Sequence, residues 1–255
     1  MSDFAKAFEK LVNIMLELRE KCPWDKKQTN ESLRYLTIEE CYELSDAIIE
    51  KDDHGIQEEL GDILLHIIFY TVIANENNKF TLAQVIDNQR KKLIHRHPHI
   101  YSNVKVKDEK EVKRNWELLK LKEKKKKTIL SGVPKSLPSM LKSYRIQEKV
   151  KGVGFDFPDR ESSFNKIIEE INEFNIEIEN KNIEKATEEF GDILFALIGY
   201  GQKNGINAVN ALERTNKKFI NRFTQMEELI SKDKDTISDY SIEELEVLWK
   251  SVKKN

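Results

Sequence analysis

Two sets of acidic residues recur along the chain at helical spacing. The first is EExxE at Glu39, Glu40 and Glu43, followed by ExxD at Glu59 and Asp62; the second is EExxE at Glu169, Glu170 and Glu173, followed by ExxD at Glu189 and Asp192. Residues three or four apart share a helix face, so two antiparallel helices carrying these motifs can converge four carboxylates. An all-oxygen set of this kind suits magnesium or manganese rather than zinc, and magnesium commonly joins carboxylates to phosphate oxygens. A phosphate chain is therefore the chemistry such residues could address. The competing reading is a solvated acidic face. A helical wheel does not choose between them: Ile38, Cys41, Tyr42, Ile48 and Ile49 gather on one side, with Glu40 and Glu43 roughly opposite. Asp62 and Asp192 favour the site. Each opens a nearly all-round apolar segment, ILLHIIFY or ILFALIGY, that is expected to be buried. An unpaired carboxylate there is costly, and a bound cation is the expected compensation.

Cations are patterned in the same way. Lys92 with Arg96, and Lys218 with Arg222, stand one helical turn apart. Arg can grip phosphate oxygens with two hydrogen bonds, while Lys supplies a point charge. Alone, each pair reads as a surface ion-pair donor; beside a repeated carboxylate quartet, it reads as a phosphate contact. Other metal chemistries fit less well. A di-iron bundle wants Glu-x-x-His on two helices, and here the third position after Glu is Asp. His66 has Ala196 as its counterpart, and His95, His97 and His99 have none, so those three read as surface or loop-packing residues.

The elements that must position these groups form an internal repeat. Glu40 and Glu170, Glu43 and Glu173, Glu59 and Glu189, and Asp62 and Asp192 all stand 130 residues apart. KLIHR from Lys92 matches KFINR from Lys218, Trp116 and Lys120 match Trp249 and Lys253, and PWD from Pro23 falls opposite GFD from Gly154. Each copy reads as helix, short loop, acidic helix, apolar helix, basic helix and Trp-bearing end. The predicted architecture is all-α, with a first helical-bundle domain over 1–120, a linker over 121–138 and a second domain over 139–255. The linker holds a lysine tract, then Gly132, Pro134 and Pro138, with no interleaved aromatics to stack on bases.

Composition agrees with helices and excludes several classes. Charged residues make up 35%, against only 9 Gly and 5 Pro in 255 residues. With 43 Lys plus Arg against 45 Asp plus Glu, there is no broad field to attract nucleic acid or an anionic membrane. Cys22 and Cys41 read as free thiols. The first residues lack a signal-peptide core, and the apolar run Ile63–Ala74 is too short to span a bilayer, so a cytoplasmic location is expected.

Taken together, CPWDKKQT, EExxE with ELGD or EFGD, RHPH, the SLP connection and VGFDF resemble the tandem-domain MazG proteins of the all-α NTP pyrophosphatase superfamily, from about Phe4 to Lys253. The resemblance implies hydrolysis of ribo- and deoxyribonucleoside triphosphates to monophosphate and pyrophosphate, with broad base acceptance and a house-cleaning or regulatory role in the nucleotide pool. It also implies magnesium, with manganese as a substitute, and a homodimer whose helical units complete one another's clefts. Carried over by position, the metal ligands are Glu170, Glu173, Glu189 and Asp192, and the nucleotide contacts are Lys185, Lys218, Arg222, Trp249 and Lys253. Of these, Lys185 and Arg222 join Glu169 in the catalytic set, with Glu169 placed to orient or deprotonate water. The first copy offers a second possible site in Glu40, Glu43, Glu59, Asp62, Lys92 and Arg96. The second copy is the expected catalytic half, because Lys185 stands where the first copy has Gly55. Two other classes remain open: a non-catalytic helical regulatory module with an acidic face, and a carboxylate-bridged metal-storage or redox bundle.

Overall fold

A computed structural model describes residues 2–109, 111–112, 114–116, 119, 128–232 and 236–252, and all regular structure among them is helical. Lys120, Lys253 and residues 121–127 of the lysine tract lie outside the described residues. The chain divides into two compact units, Met1–Lys105 and Val106–Asn255.

The first unit contains α1 (Asp3–Lys21), α2 (Asn30–Glu50), α3 (Asp53–Glu76), α4 (Leu82–Arg96) and a short α5 (Pro98–Tyr101). Its core gathers Met15 from α1, Leu33 from α2 and Ile68, Phe69, Val72 and Ile73 from α3, with Leu36, Leu64 and Leu82 packed against them. Full burial of each such side chain stabilises the fold by about 1.5–3 kcal/mol. Capping boxes at Thr29 with Ser32 and at Thr81 with Gln84 satisfy the first free N–H groups of α2 and α4. Arg19 ties the end of α1 to the end of α3: its guanidinium donates to Glu76 at 2.9 Å and to the carbonyls of Asp25 and Gln28, which fixes the loop between α1 and α2.

The second unit contains α6 (Ser139–Lys151), α7 (Arg160–Glu179), α8 (Ile183–Lys203), α9 (Ala208–Lys232) and α10 (Ile242–Val252). Ile167, Ala186, Ile198, Met226, Ile230 and Val252 are its buried apolar residues. Helix α6 docks on α8 through polar contacts. Gln147 donates to the Phe195 carbonyl at 2.6 Å, Lys151 to the Gly199 carbonyl at 3.2 Å, and Gln202 returns a bond to the Tyr144 carbonyl at 2.8 Å. Gly199 makes room for this arrangement, since a Cβ there would displace the Gln147 side-chain oxygen.

The sequence repeat has a structural echo. Lys51 and Lys181 both adopt the left-handed conformation, at φ 61° and 56°, and end the acidic helices. The next residues, Asp52 and Asn182, then cap α3 and α8 by accepting from the His54 and Lys185 amides.

One expectation about burial is corrected, and the face that the wheel left open is assigned. The apolar segments after Asp62 and Asp192 are not buried all round: Ile67 is 44% exposed and Leu197 46%, and both aspartates are exposed. Within one chain these helices meet core on one side only. The inner face of α2 carries Leu33, Leu44 and Ala47, and Glu40 lies among them, while Ile38, Tyr42 and Ile48 point outward. The wheel's apolar side is thus the outer side. No described helix is long and apolar enough to cross a membrane.

Candidate metal centre

Each helix hairpin brings three glutamates together. Glu40 and Glu43 of α2 meet Glu59 of α3, and Glu170 and Glu173 of α7 meet Glu189 of α8; in each group one ligand atom per residue lies within 4.8 Å of the others. The second group is positioned by the inner stripe of α7, where Ser163, Ile167 and Glu170 follow one another at helical spacing and are all buried. Phe174 continues that stripe onto the Phe190 ring of α8 at 5.9 Å, and buried Ala186 lets α8 approach three residues before Glu189.

The electrostatics of the two groups differ. In the first, burial and then the charge of Asp62 push the Glu40 carboxyl above its usual range. Burial and then Glu59 raise Glu43, and burial and then the contact with Glu40 raise Glu59. The Glu59 Oε2 atom is buried without a hydrogen-bond partner. Three crowded carboxylates with an orphaned oxygen form a donor set that a divalent cation fits. In the second group, Lys166 reaches Glu169 at 2.6 Å and Glu170 at 2.7 Å. Its ammonium is held well above the ordinary lysine range by those two contacts. Glu173 is still raised, by burial and then by Glu170.

At carboxyls raised in this way, protons compete with a cation for the oxygens. Manganese binding to the protein is therefore expected to weaken as pH falls from about 7.5 to about 5, a change that titration followed by electron paramagnetic resonance can read. The stability sign follows from the same shifts. A carboxyl raised in the fold contributes stability that is present below its ordinary pKa and lost as pH climbs through the folded value. Added metal should consequently lift the melting temperature more at the higher pH, and a pH-independent lift would remove these carboxyls from the site.

The remaining candidates are placed as follows. Asp62 acts on the first group through its charge, although it is outside the three closest ligands. Asp192 is exposed, one turn beyond Glu189 and outside its triad. Glu169 is exposed and held by Lys166. Lys185 is exposed in the first turn of α8. At the equivalent Gly55, a Cβ would stand 2.8 Å from Asp52 Oδ2 and 3.2 Å from Ala47, so a side chain there requires the Asp52 cap and Ala47 to shift. Lys218 is exposed and Arg222 half-buried on α9; among the described residues neither is in an ion pair. The Trp249 ring lies 5.1 Å from that of Phe219. In the first copy Lys92 donates to Gln89 at 3.1 Å, and Arg96 is buried. Among the described residues no histidine joins either acidic group. The sequence reading missed Lys166, though its position four residues before Glu170, where the first copy has Leu36, was a visible break in the repeat.

Comparison with known proteins places this geometry. The MazG nucleotide pyrophosphohydrolase domain matches residues 28–101 and again residues 159–226. The nucleoside triphosphate pyrophosphohydrolase/pyrophosphatase MazG of Thermotoga maritima is 40% identical over 99% of this chain and 98% of its own length. The nucleoside triphosphate pyrophosphohydrolase of Escherichia coli K12 is 33% identical over 96% and 97%. Protein YabN of Bacillus subtilis is 40% identical over 96% of this chain, which spans 51% of that protein. Each glutamate triad falls inside one of the two matched stretches, at the heart of its own helix hairpin. The chain is therefore a hydrolase belonging to the MazG nucleotide pyrophosphohydrolase family, with two copies of the family's domain.

Proposed function

We propose that the protein hydrolyses nucleoside triphosphates, ribo- and deoxyribo- alike, to the monophosphate and pyrophosphate with the help of magnesium, manganese substituting. The observation that carries this reading is the repeated glutamate triad, three oxygen donors within 4.8 Å in each hairpin. In the second copy Glu170, Glu173, Glu189 and Asp192 would hold the metal. Bound there, it would supply Lewis-acid polarisation of the α-phosphoryl group and a more acidic water. The protein's own groups do the rest. Glu169, steadied by Lys166, orients the attacking water and takes its proton. Lys218 and Arg222, cations without an internal ion-pair partner among the described residues, offset the charge of the departing pyrophosphate. Lys185 adds a point charge at the mouth of α8, and Trp249, braced on Phe219, takes the nucleoside end together with Lys253. Phosphoryl transfer asks mainly for positioning and charge stabilisation, so no Ser, Cys or His nucleophile is required.

The same reading includes a homodimer, supported by outward apolar residues on both hairpins, and a division of labour in which the second domain, 139–255, is the main catalyst. Broad base acceptance suits a house-cleaning or regulatory role. Phosphorus NMR of the products is the test. Monophosphate and pyrophosphate are expected from each NTP in the presence of magnesium, and nothing after chelation. Orthophosphate with diphosphate from a homogeneous preparation would place the enzyme in another reaction class.

A further inference from the structure

We propose that Lys166 is a resting-state latch on the second glutamate cluster, its ammonium standing in for a cation between Glu169 and Glu170 until a divalent ion displaces it. This rests on reading the cluster as a divalent-metal site. The Lys166 Nζ lies 2.7 Å from Glu170 Oε1 and 2.6 Å from Glu169 Oε1. Glu170 is only 6% exposed, and a carboxylate that deep requires a counter-charge. The lysine is delivered to it by register alone, one helical turn earlier on α7, so the latch needs no separate element.

The first cluster lacks this device. Its corresponding position is Leu36, packed against the core, and there Glu59 Oε2 is left buried and unpartnered. One cluster is thus internally compensated and the other is not. An ion entering the second site meets a carboxylate already engaged by an ammonium and must overcome repulsion from that ammonium. An ion entering the first meets no such ammonium among the described residues, only carboxylates crowded against one another. Without nucleotide, therefore, the first cluster binds a divalent ion more tightly than the second, although the second has the fuller set of phosphate-binding partners.

The test is manganese binding, without nucleotide, to the full-length protein carrying Glu40→Gln and Glu43→Gln, so that only the second cluster responds. Electron paramagnetic resonance of the free ion gives the affinity. Adding Lys166→Met is expected to tighten binding roughly tenfold, the weight of one charged hydrogen bond released from competition. Lys166→Arg should bind like the parent. The metal-free Lys166→Met protein should melt below the parent, with the difference closing as manganese is added. A merely structural lysine would lower the melting temperature without tightening the ion, and unchanged or weaker binding overturns the latch. Lys166→Gln serves if the Met variant does not fold, with the same expectation. Binding in none of these proteins would overturn the metal reading and the latch together. Intact, latch-dependent binding without NTP hydrolysis would sink only the proposed reaction.

Discussion

Replacing Glu170 and Glu189 together by glutamine is expected to reduce NTP turnover by on the order of a thousandfold or more. A metal supplies several kcal/mol of transition-state stabilisation, and each 1.36 kcal/mol is tenfold in rate. The substitution removes two ligand charges while keeping side-chain volume, so the helices should persist by circular dichroism. The matched pair in the first copy, Glu40→Gln with Glu59→Gln, is expected to leave most of the turnover. Both triads gather within 4.8 Å, so that criterion does not separate the copies. What separates them is the company each triad keeps. The second has Lys185 in the first turn of α8, four residues before Glu189, where the first has Gly55, packed close against Asp52 and Ala47 and without a side chain. The second also has Lys218 and Arg222, in no ion pair among the described residues, whereas the corresponding Arg96 is buried. Pyrophosphate release by both double variants, each checked for dimerisation, decides the matter. If the first-copy pair abolishes turnover and the second-copy pair spares it, the roles are reversed.

The carboxylate motifs and the repeat were legible in the sequence because they rest on local spacing. Residues three and four apart must share a helix face, and a constant displacement of 130 residues reproduces even the left-handed lysines at 51 and 181. What local spacing leaves open is which face is inner. On α2 the richer apolar side, Ile38, Tyr42 and Ile48, is outward, while Glu40 joins Leu33 and Ala47 inside. A wheel weighs hydrophobicity without knowing how many partners a helix has, and a helix with surfaces for two partners has two candidate cores. The same ambiguity hid Lys166. A lysine before an EExxE motif looks like an ordinary exposed i,i+4 pair, and only the burial of Glu170 makes it a counter-charge held in the site. The crowding at Gly55 was also beyond the sequence, since it depends on where Asp52 turns back as a cap.

Leu194→Arg with Leu197→Arg is expected to convert the proposed dimer to a monomer of 30.0 kDa and to abolish hydrolysis, though neither residue is a ligand. Phe190, Leu194 and Leu197 recur at i, i+4 and i+7 along α8, and Phe164, Ile168 and Ile171 do the same along α7. All six are between 37% and 52% exposed in the single chain. Large apolar stripes left open in this way mark an association surface. A second copy suits them, because a two-fold interface needs only one self-complementary patch and each chain already carries it. The first unit repeats the pattern with Ile38, Leu60 and Ile67 exposed at the corresponding positions. Arginine on these positions costs the isolated hairpin little, since they already face outward, but two desolvated like charges per subunit would cost an apolar interface several kcal/mol. Glu170, Glu173 and Glu189 ride on the same two helices as the stripes, so separating the chains opens the cleft that should enclose the triphosphate. Light scattering reports the mass, and circular dichroism confirms that the helices remain. A variant that keeps twice the monomer mass, or a parent protein that is monomeric and fully active, would rule out a second copy as the partner of this face.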